Sequence, residues 1–168
     1  LKAFSPKELW VPHGGASLPL MEELIQAGRS QNIRVKEVSR HTPMVEIKGV
    51  HIRVLNPVEG AGAGAPPADD RWINDNSMVL SVEYQGFRFL LAADVGVEGE
   101  RALLAHPQEI RANVLKVPHH GSATSSSAEF VAAVSPDYAV ISADGHRHPA
   151  KEVIRRYRGL GARIFRTD

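Results

Sequence analysis

"VLKVPHHGSATSSSAEFVAAV", residues 114–134, holds the pattern from which the architecture follows. A short, mostly apolar run at 114–117 leads straight into two adjacent histidines, a glycine and a series of hydroxyls, and then into a segment with helical apolar spacing. Strand, polar turn and helix in that order make a βα unit, and the pattern recurs on both sides. Upstream, a strand ending at Asp94 precedes a helix predicted over about 98–105. Downstream, a strand over 138–142 precedes "ADGHRHPA", a helix carrying Val153, Ile154, Tyr157 and Leu160, and a last strand over 162–165. The fold class is therefore α/β. Two helix starts are marked: Ser126 and Glu129 have capping-box spacing, and Pro149 suits a first helical turn.

Working outward, "MVLSVEYQGFRFLLAAD" at 78–94 predicts two strands around a turn at Gln85 and Gly86, the second apolar enough to be expected buried on both faces. "NPVEGAGAGAPPADD" is too rich in Gly, Pro and Ala for a regular element, so 57–70 is read as a flexible surface loop. The first third predicts a strand over 9–11, a helix over about 18–27 stopped by Gly28, and strands over 33–38 and around 51–55.

The 168 residues, 43% of them hydrophobic, suit one domain rather than two. No run approaches the roughly 20 apolar residues that cross a bilayer. The start, "LKAFSPKELW", lacks both an initiator Met and a signal-peptide pattern, so the chain is expected to be an excised piece. Without cysteine there is neither a disulfide framework nor a thiolate metal site. A net charge of +1 argues against a uniformly basic nucleic-acid binder, yet 58–100 is acid-rich. Residues 144–168 carry Arg147, Lys151, Arg155, Arg156, Arg158, Arg163 and Arg166 against three acids. That basic segment suits either a phosphate-facing surface or an ordinary solvated helix.

Asp94, the His119–His120 pair and His148 each stand where a strand gives way to a turn, and in an open α/β sheet such turns gather along one edge. A carboxylate with several imidazoles is a ligand set for zinc, manganese or iron, and such a centre lowers the pKa of water and polarises a phosphoryl oxygen. Taken singly, Asp94 has a simpler reading as a helix cap and His148 as a turn residue. The doublet before Gly121 is harder to explain without a ligand, because a tight glycine turn lets both rings approach one small object. Ser122 and Thr124 are near enough in sequence to hold a phosphate oxygen, whereas Ser125, Ser126 and Ser127 are read as a helix-capping run. A serine-hydrolase reading fails because no G-x-S-x-G elbow occurs.

"NDNSMVLSVEYQGFRFLLAAD", "ANVLKVPHHGSATSSSAEFVAAVSPDYAVIS", "HRHPAKEVIRRY" and "FRTD", in this order, closely resemble the metallo-β-lactamase-like domain of the ComEC family of competence proteins, and the resemblance covers nearly the whole chain. It implies an αββα sandwich with two divalent ions, zinc or manganese, at one edge, and no small organic cofactor. The implied setting is a domain on the outer face of the bacterial inner membrane, joined to a membrane channel in the same polypeptide and acting on DNA, single-stranded in the main. By the same resemblance Asp94 and His120 are metal ligands, His119 contacts the scissile phosphate or leaving group, and His148 is either a further ligand or a phosphate contact, counted with His119 as catalytic. Asn74 and Asn76 fall where relatives carry another metal-binding histidine, and with Ser122, Thr124 and Lys151 they make up the expected substrate-binding set. Two departures stand out. The HxHxDH motif is absent from all 168 residues, and "AAD" replaces the usual glycine before Asp94. The chain is accordingly read as the C-terminal portion of a metal-dependent nuclease domain. Two rival readings are a non-catalytic DNA guide and a metallo-hydrolase of small phosphodiesters.

Overall fold

The computed structural model describes residues 6–15, 18–58, 69–143 and 145–168. Its main body is a seven-stranded sheet in the order β3 (Val45–Ile47), β4 (Val50–Asn56), β5 (Val79–Tyr84), β6 (Phe87–Leu91), β7 (Val114–Lys116), β8 (Tyr138–Ile141) and β9 (Arg163–Arg166). The first four strands pair antiparallel and the last four parallel. The change of sense follows from the connections. Two-residue turns at Lys48–Gly49 and Gln85–Gly86, all four residues at positive φ, close hairpins between β3 and β4 and between β5 and β6. Beyond β6 each return passes through helix: α3 (Val97–Leu104) and α4 (Pro107–Ile110), then α5 (Ala128–Val134), then α6 (Lys151–Gly159).

These helices bury their apolar stripes on one face of the sheet. Leu90, Leu115 and Ala139 meet Leu103, Phe130, Val131, Val134, Val153 and Tyr157 in a single core, all at most 1% exposed. Burying each such large side chain contributes about 1.5–3 kcal/mol. Among the described residues the opposite face carries no helix and is open at β6 and β9, although Val54 of β4, on that same face, is buried. Phe87, Phe89 and Leu91, at alternate positions of β6, are 42%, 39% and 40% exposed, and Tyr84 and Phe165 are similarly open. The expectation that this strand is buried on both faces is corrected: its composition suits two covers, and the described residues supply one.

A separate two-stranded parallel sheet joins β1 (Glu8–Pro12) to β2 (Arg34–Val38), with α1 (Pro19–Ser30) between them. Gly28 does not stop α1. It lies inside the helix, where a Cβ would press on Leu9 and Val35, and the helix ends at Gln31. Two parallel strands of five residues are marginal alone. One helix-backed sheet with an uncovered apolar face, and the beginning of a second sheet, make an incomplete αββα sandwich.

Three further expectations change. The loop over 57–70 lies outside the described residues at 59–68, while Asp69 caps and Asp70 opens a short helix, α2 (Asp70–Asp75), that composition did not suggest. Ser127, not Ser126, is the N-cap of α5, its hydroxyl accepting from the Phe130 N–H. Pro149 precedes α6, which begins at Lys151 after an extended Ala150. α3 takes its cap from a distant element: the Asp75 carboxylate accepts the Gly99 N–H at 3.0 Å. That approach requires a glycine, since a Cβ at 99 would fall 2.8 Å from the Asp75 carbonyl oxygen.

Candidate metal and phosphate site

At the ends of the parallel strands the chain makes an unusual turn. His119 (φ 47°) and His120 (φ 54°) are consecutive non-glycine residues in the left-handed region, followed by Gly121 (φ 79°). Such positions cost of order 1–3 kcal/mol each and persist only where the surroundings impose them. Here the surroundings do so through the backbone. The His119 N–H donates to the Ala93 carbonyl, the Ser122 N–H to His119, and the Ala150 N–H to Gly121. The Ser125 hydroxyl donates to the Pro118 carbonyl at 3.1 Å. The loops after β6, β7 and β8 are thereby tied into one rim.

The tying brings together side chains that are far apart in sequence. His120 Nε2 is 3.5 Å from Asp94 Oδ1, and both side chains are 44% exposed. His120 Nδ1 is 2.8 Å from the Ser142 carbonyl oxygen. A carbonyl only accepts, so Nδ1 carries the proton, and in the neutral ring the Nε2 lone pair faces the carboxylate. A backbone carbonyl on the far nitrogen is the usual outer support of a metal-binding histidine. The His148 ring stacks on His120 at 6.5 Å between centroids and lies 6.0 Å from His119. Asp94, His119, His120 and His148 therefore share one rim.

The remaining expected residues divide. Ser122 Oγ and Thr124 Oγ1 bond each other at 2.9 Å, and Thr124, His119 and Asn74 line a cleft of about 490 Å³ that runs between α2 and the start of α3. Lys151 is exposed at the head of α6, three residues past His148. Asn76 lies apart from that cleft. Its amide donates to the Trp72 carbonyl and it lines a separate, largely apolar pocket with Met21 and Trp72.

Imidazole and carboxylate at this separation suit a divalent cation, but a catalytic zinc site uses three protein ligands. Among the described residues no group of three or more His, Asp or Glu side chains is placed to hold one ion. The donor chemistry fits, and the number of donors is that of a partial set.

Three residues to which the sequence reading gave no role at the site also shape the rim. Glu100, fully buried, accepts the backbone N–H groups of Ser126 and Ser127 and so fixes the far end of the histidine loop. Burial raises its pKa above the usual carboxylate value, against those hydrogen bonds. Tyr157 donates to Ser126 Oγ from beneath, its phenol pushed up by burial. Lys116, on β7, is half-buried, with its pKa lowered by desolvation although the Asp94 charge raises it. A lone charged residue inside "VLKV" was the available signal for Lys116. Nothing local marks Glu100.

No protein-family model matches the chain. Over its whole length it is 34% identical to ComE operon protein 3 of Bacillus subtilis, and over 61% of its length it is 40% identical to competence protein ComA of Neisseria gonorrhoeae. The first of these matches takes in the whole rim. The chain is a ComEC-family segment. It spans 21% of ComE operon protein 3 and 16% of ComA. Among solved structures, an isothiocyanate hydrolase from Delia radicum gut bacteria aligns with a TM-score of 0.53 at 14% identity, covering 97% of this chain and 66% of that one. A variant of the CmlA β-hydroxylase aligns with a TM-score of 0.53 at 12% identity, over 83% of this chain and 34% of that one. At such identities the likeness concerns the fold, which is that of the metallo-β-lactamases. No helix among the described residues of the ComEC-family segment is long and apolar enough to cross a membrane.

Proposed function

We propose that this ComEC-family segment supplies part of the active site of a metal-dependent phosphodiesterase that cleaves DNA during uptake. The observation that carries the reading is His120, with Nδ1 fixed by the Ser142 carbonyl and Nε2 turned to Asp94. Zinc or manganese ions held there by Asp94 and His120, with ligands from the rest of the protein, would lower the pKa of water and polarise a phosphoryl oxygen. The chain's own residues do the remainder. His119 and His148, each about 6 Å from another ring of the cluster, stand where a phosphate oxygen or a departing alkoxide would be met by an imidazole N–H. Thr124 and Asn74 offer neutral donors along the adjoining cleft, Ser122 is buried and acts through its hydrogen bond to Thr124, and Asn76 reaches substrate only from the neighbouring pocket. Competence relatives support a part in DNA uptake, with DNA as the substrate; that the DNA is single-stranded, that a channel lies in the same polypeptide and that the domain stands on the outer face of the inner membrane come from the family resemblance and belong to this proposal.

One observation favours a second reading. Lys151, Arg155 and Arg158 are exposed at i, i+4 and i+7 on α6, a single stripe that begins beside His148 and spans about 10 Å. Such a stripe guides a phosphodiester backbone whether or not the rim cuts it. The deciding experiment is cleavage of single-stranded DNA by the full-length protein with manganese or zinc. Wild type is expected to cut and His120→Ala to lose cleavage. Salt-sensitive binding with no turnover under any divalent metal would leave the guide.

A further inference from the structure

The register of the large sheet sets Val54, Leu80, Leu91, Lys116, Val140 and Phe165 side by side in one row across six strands. Five of the six are apolar, and the row lies on the face that the helices leave bare. It is also the last row before the histidine rim: Leu91 and Lys116 are the final residues of β6 and β7, and the loops of Asp94 and His119 start directly beyond them. An ammonium group in that position is costly. Desolvation works against its charge, and among the described residues no carboxylate comes within ion-pair distance of it. Among the described residues Nζ has one hydrogen-bond partner, the Val117 carbonyl at 2.9 Å. An ammonium carries three N–H groups, so two donors remain for something else. A purely structural position in this row would be filled by another Val or Leu, as it is on both sides.

What the lysine faces narrows the choice of ligand. Asp94 is the charged group that acts on it electrostatically. If Lys116 served only as counter-ion to Asp94 it would compete with cations for that carboxylate, which makes little sense at a site built to bind them. Among the described residues no partner of opposite charge completes the contact, and the open ground beside the lysine lies between the bare face and the rim, where an anion bound next to Asp94 and His120 would lie.

We infer that Lys116 is a phosphate-contacting residue, its ammonium holding a non-bridging oxygen of the DNA backbone at the sheet side of the rim, opposite the imidazoles of His119 and His148. The inference rests on the phosphodiesterase reading and adds a residue to it. Lysine acts there as a point charge without base readout, so the contact is independent of sequence.

The test uses the full-length protein and a single-stranded oligonucleotide, unmodified for cleavage and fully phosphorothioate-substituted for binding. Lys116→Met keeps the stem and suits the apolar row. It is expected to lower kcat/KM at least about tenfold and to make the slope of log affinity against log salt shallower by about 0.7, the increment for one phosphate contact on a single strand. Metal content and melting temperature are expected to stay at wild-type values. Lys116→Arg is expected to restore the slope. Wild-type cleavage and slope in Lys116→Met, with cleavage still abolished by His120→Ala, would overturn the inference and leave the phosphodiesterase reading standing. An equal loss of slope in the Met and Arg variants would mark the residue as structural and overturn it too. Absence of metal-dependent cleavage by wild type would remove the reading and the inference together.

Discussion

His120 Nε2 stands 3.5 Å from Asp94 Oδ1, while the opposite nitrogen of the same ring is held by the Ser142 carbonyl. The ring is thus aimed before any ligand arrives. His119, its neighbour, has its backbone N–H tied to Ala93 and its ring turned toward His148 and the cleft of Thr124. Two adjacent histidines on one left-handed turn therefore point at different work.

That division gives a first prediction. In the full-length protein, His120→Ala and Asp94→Asn should each weaken divalent-metal retention by more than about a hundredfold, since losing even an outer support commonly costs 10–100-fold. His119→Ala should leave retention near wild type while lowering cleavage. Equilibrium dialysis followed by metal analysis separates the two cases. Equal metal loss in all three variants would contradict the division of labour.

Gly121 supplies the second. Its φ of 79° is left-handed, and a Cβ there would lie 2.7 Å from Pro149 Cβ. The two penalties together predict a destabilisation of about 2–4 kcal/mol for Gly121→Ala. Because Gly121 also accepts the Ala150 N–H, the displaced loop should move His148 away from His120. Denaturant unfolding measures the first effect, and an unchanged midpoint would show that the loop relaxes freely.

Glu100 yields a pH prediction. Its folded pKa lies above the ordinary carboxylate value, chiefly through desolvation, so the native state binds this proton more tightly than the unfolded chain does. Its contribution to stability is therefore fully present below the unfolded value and is lost as pH rises through the folded one. Glu100→Gln removes the titration, and also one of the two acceptors serving Ser126 and Ser127. The stability advantage of wild type over the Gln variant should be largest near pH 4 and shrink toward pH 7. Thermal melts across that range check it, and a difference independent of pH would refute it.

Tyr157 tests the same network without a charge. Its hydroxyl donates to Ser126 Oγ at 3.0 Å, and both residues are buried. Tyr157→Phe should cost about 1–2 kcal/mol, the value of one hydrogen bond plus a partly orphaned hydroxyl. No change in the unfolding midpoint would mean that water replaces the phenol.

Much of this molecule is written locally. The βα alternation from Phe87 onward, the Gln85–Gly86 turn and the convergence of Asp94, His119, His120 and His148 all follow from apolar periodicity and from strand ends sharing an edge. Periodicity is a property of neighbours in sequence, so one chain suffices to read it. α2 was hidden because "DRWIND" has no apolar period of its own; Asn56 and the Gly99 N–H, both donating to Asp75 at its end, hold it in place from elsewhere in the fold. The N-cap moved from Ser126 to Ser127 because the backbone of Ser126 is turned inward to Glu100, a choice made by a carboxylate on another helix. β6 looked doubly buried because its composition suits two covers, whereas how many covers are present depends on which layers meet it. From the sequence alone it follows that Asp94, His119, His120 and His148 gather on one edge. Which nitrogen of His120 faces Asp94, which carboxylate fixes the loop and that a lysine stands in an apolar row across six strands emerge only in three dimensions, because these depend on distances between segments that no local pattern encodes.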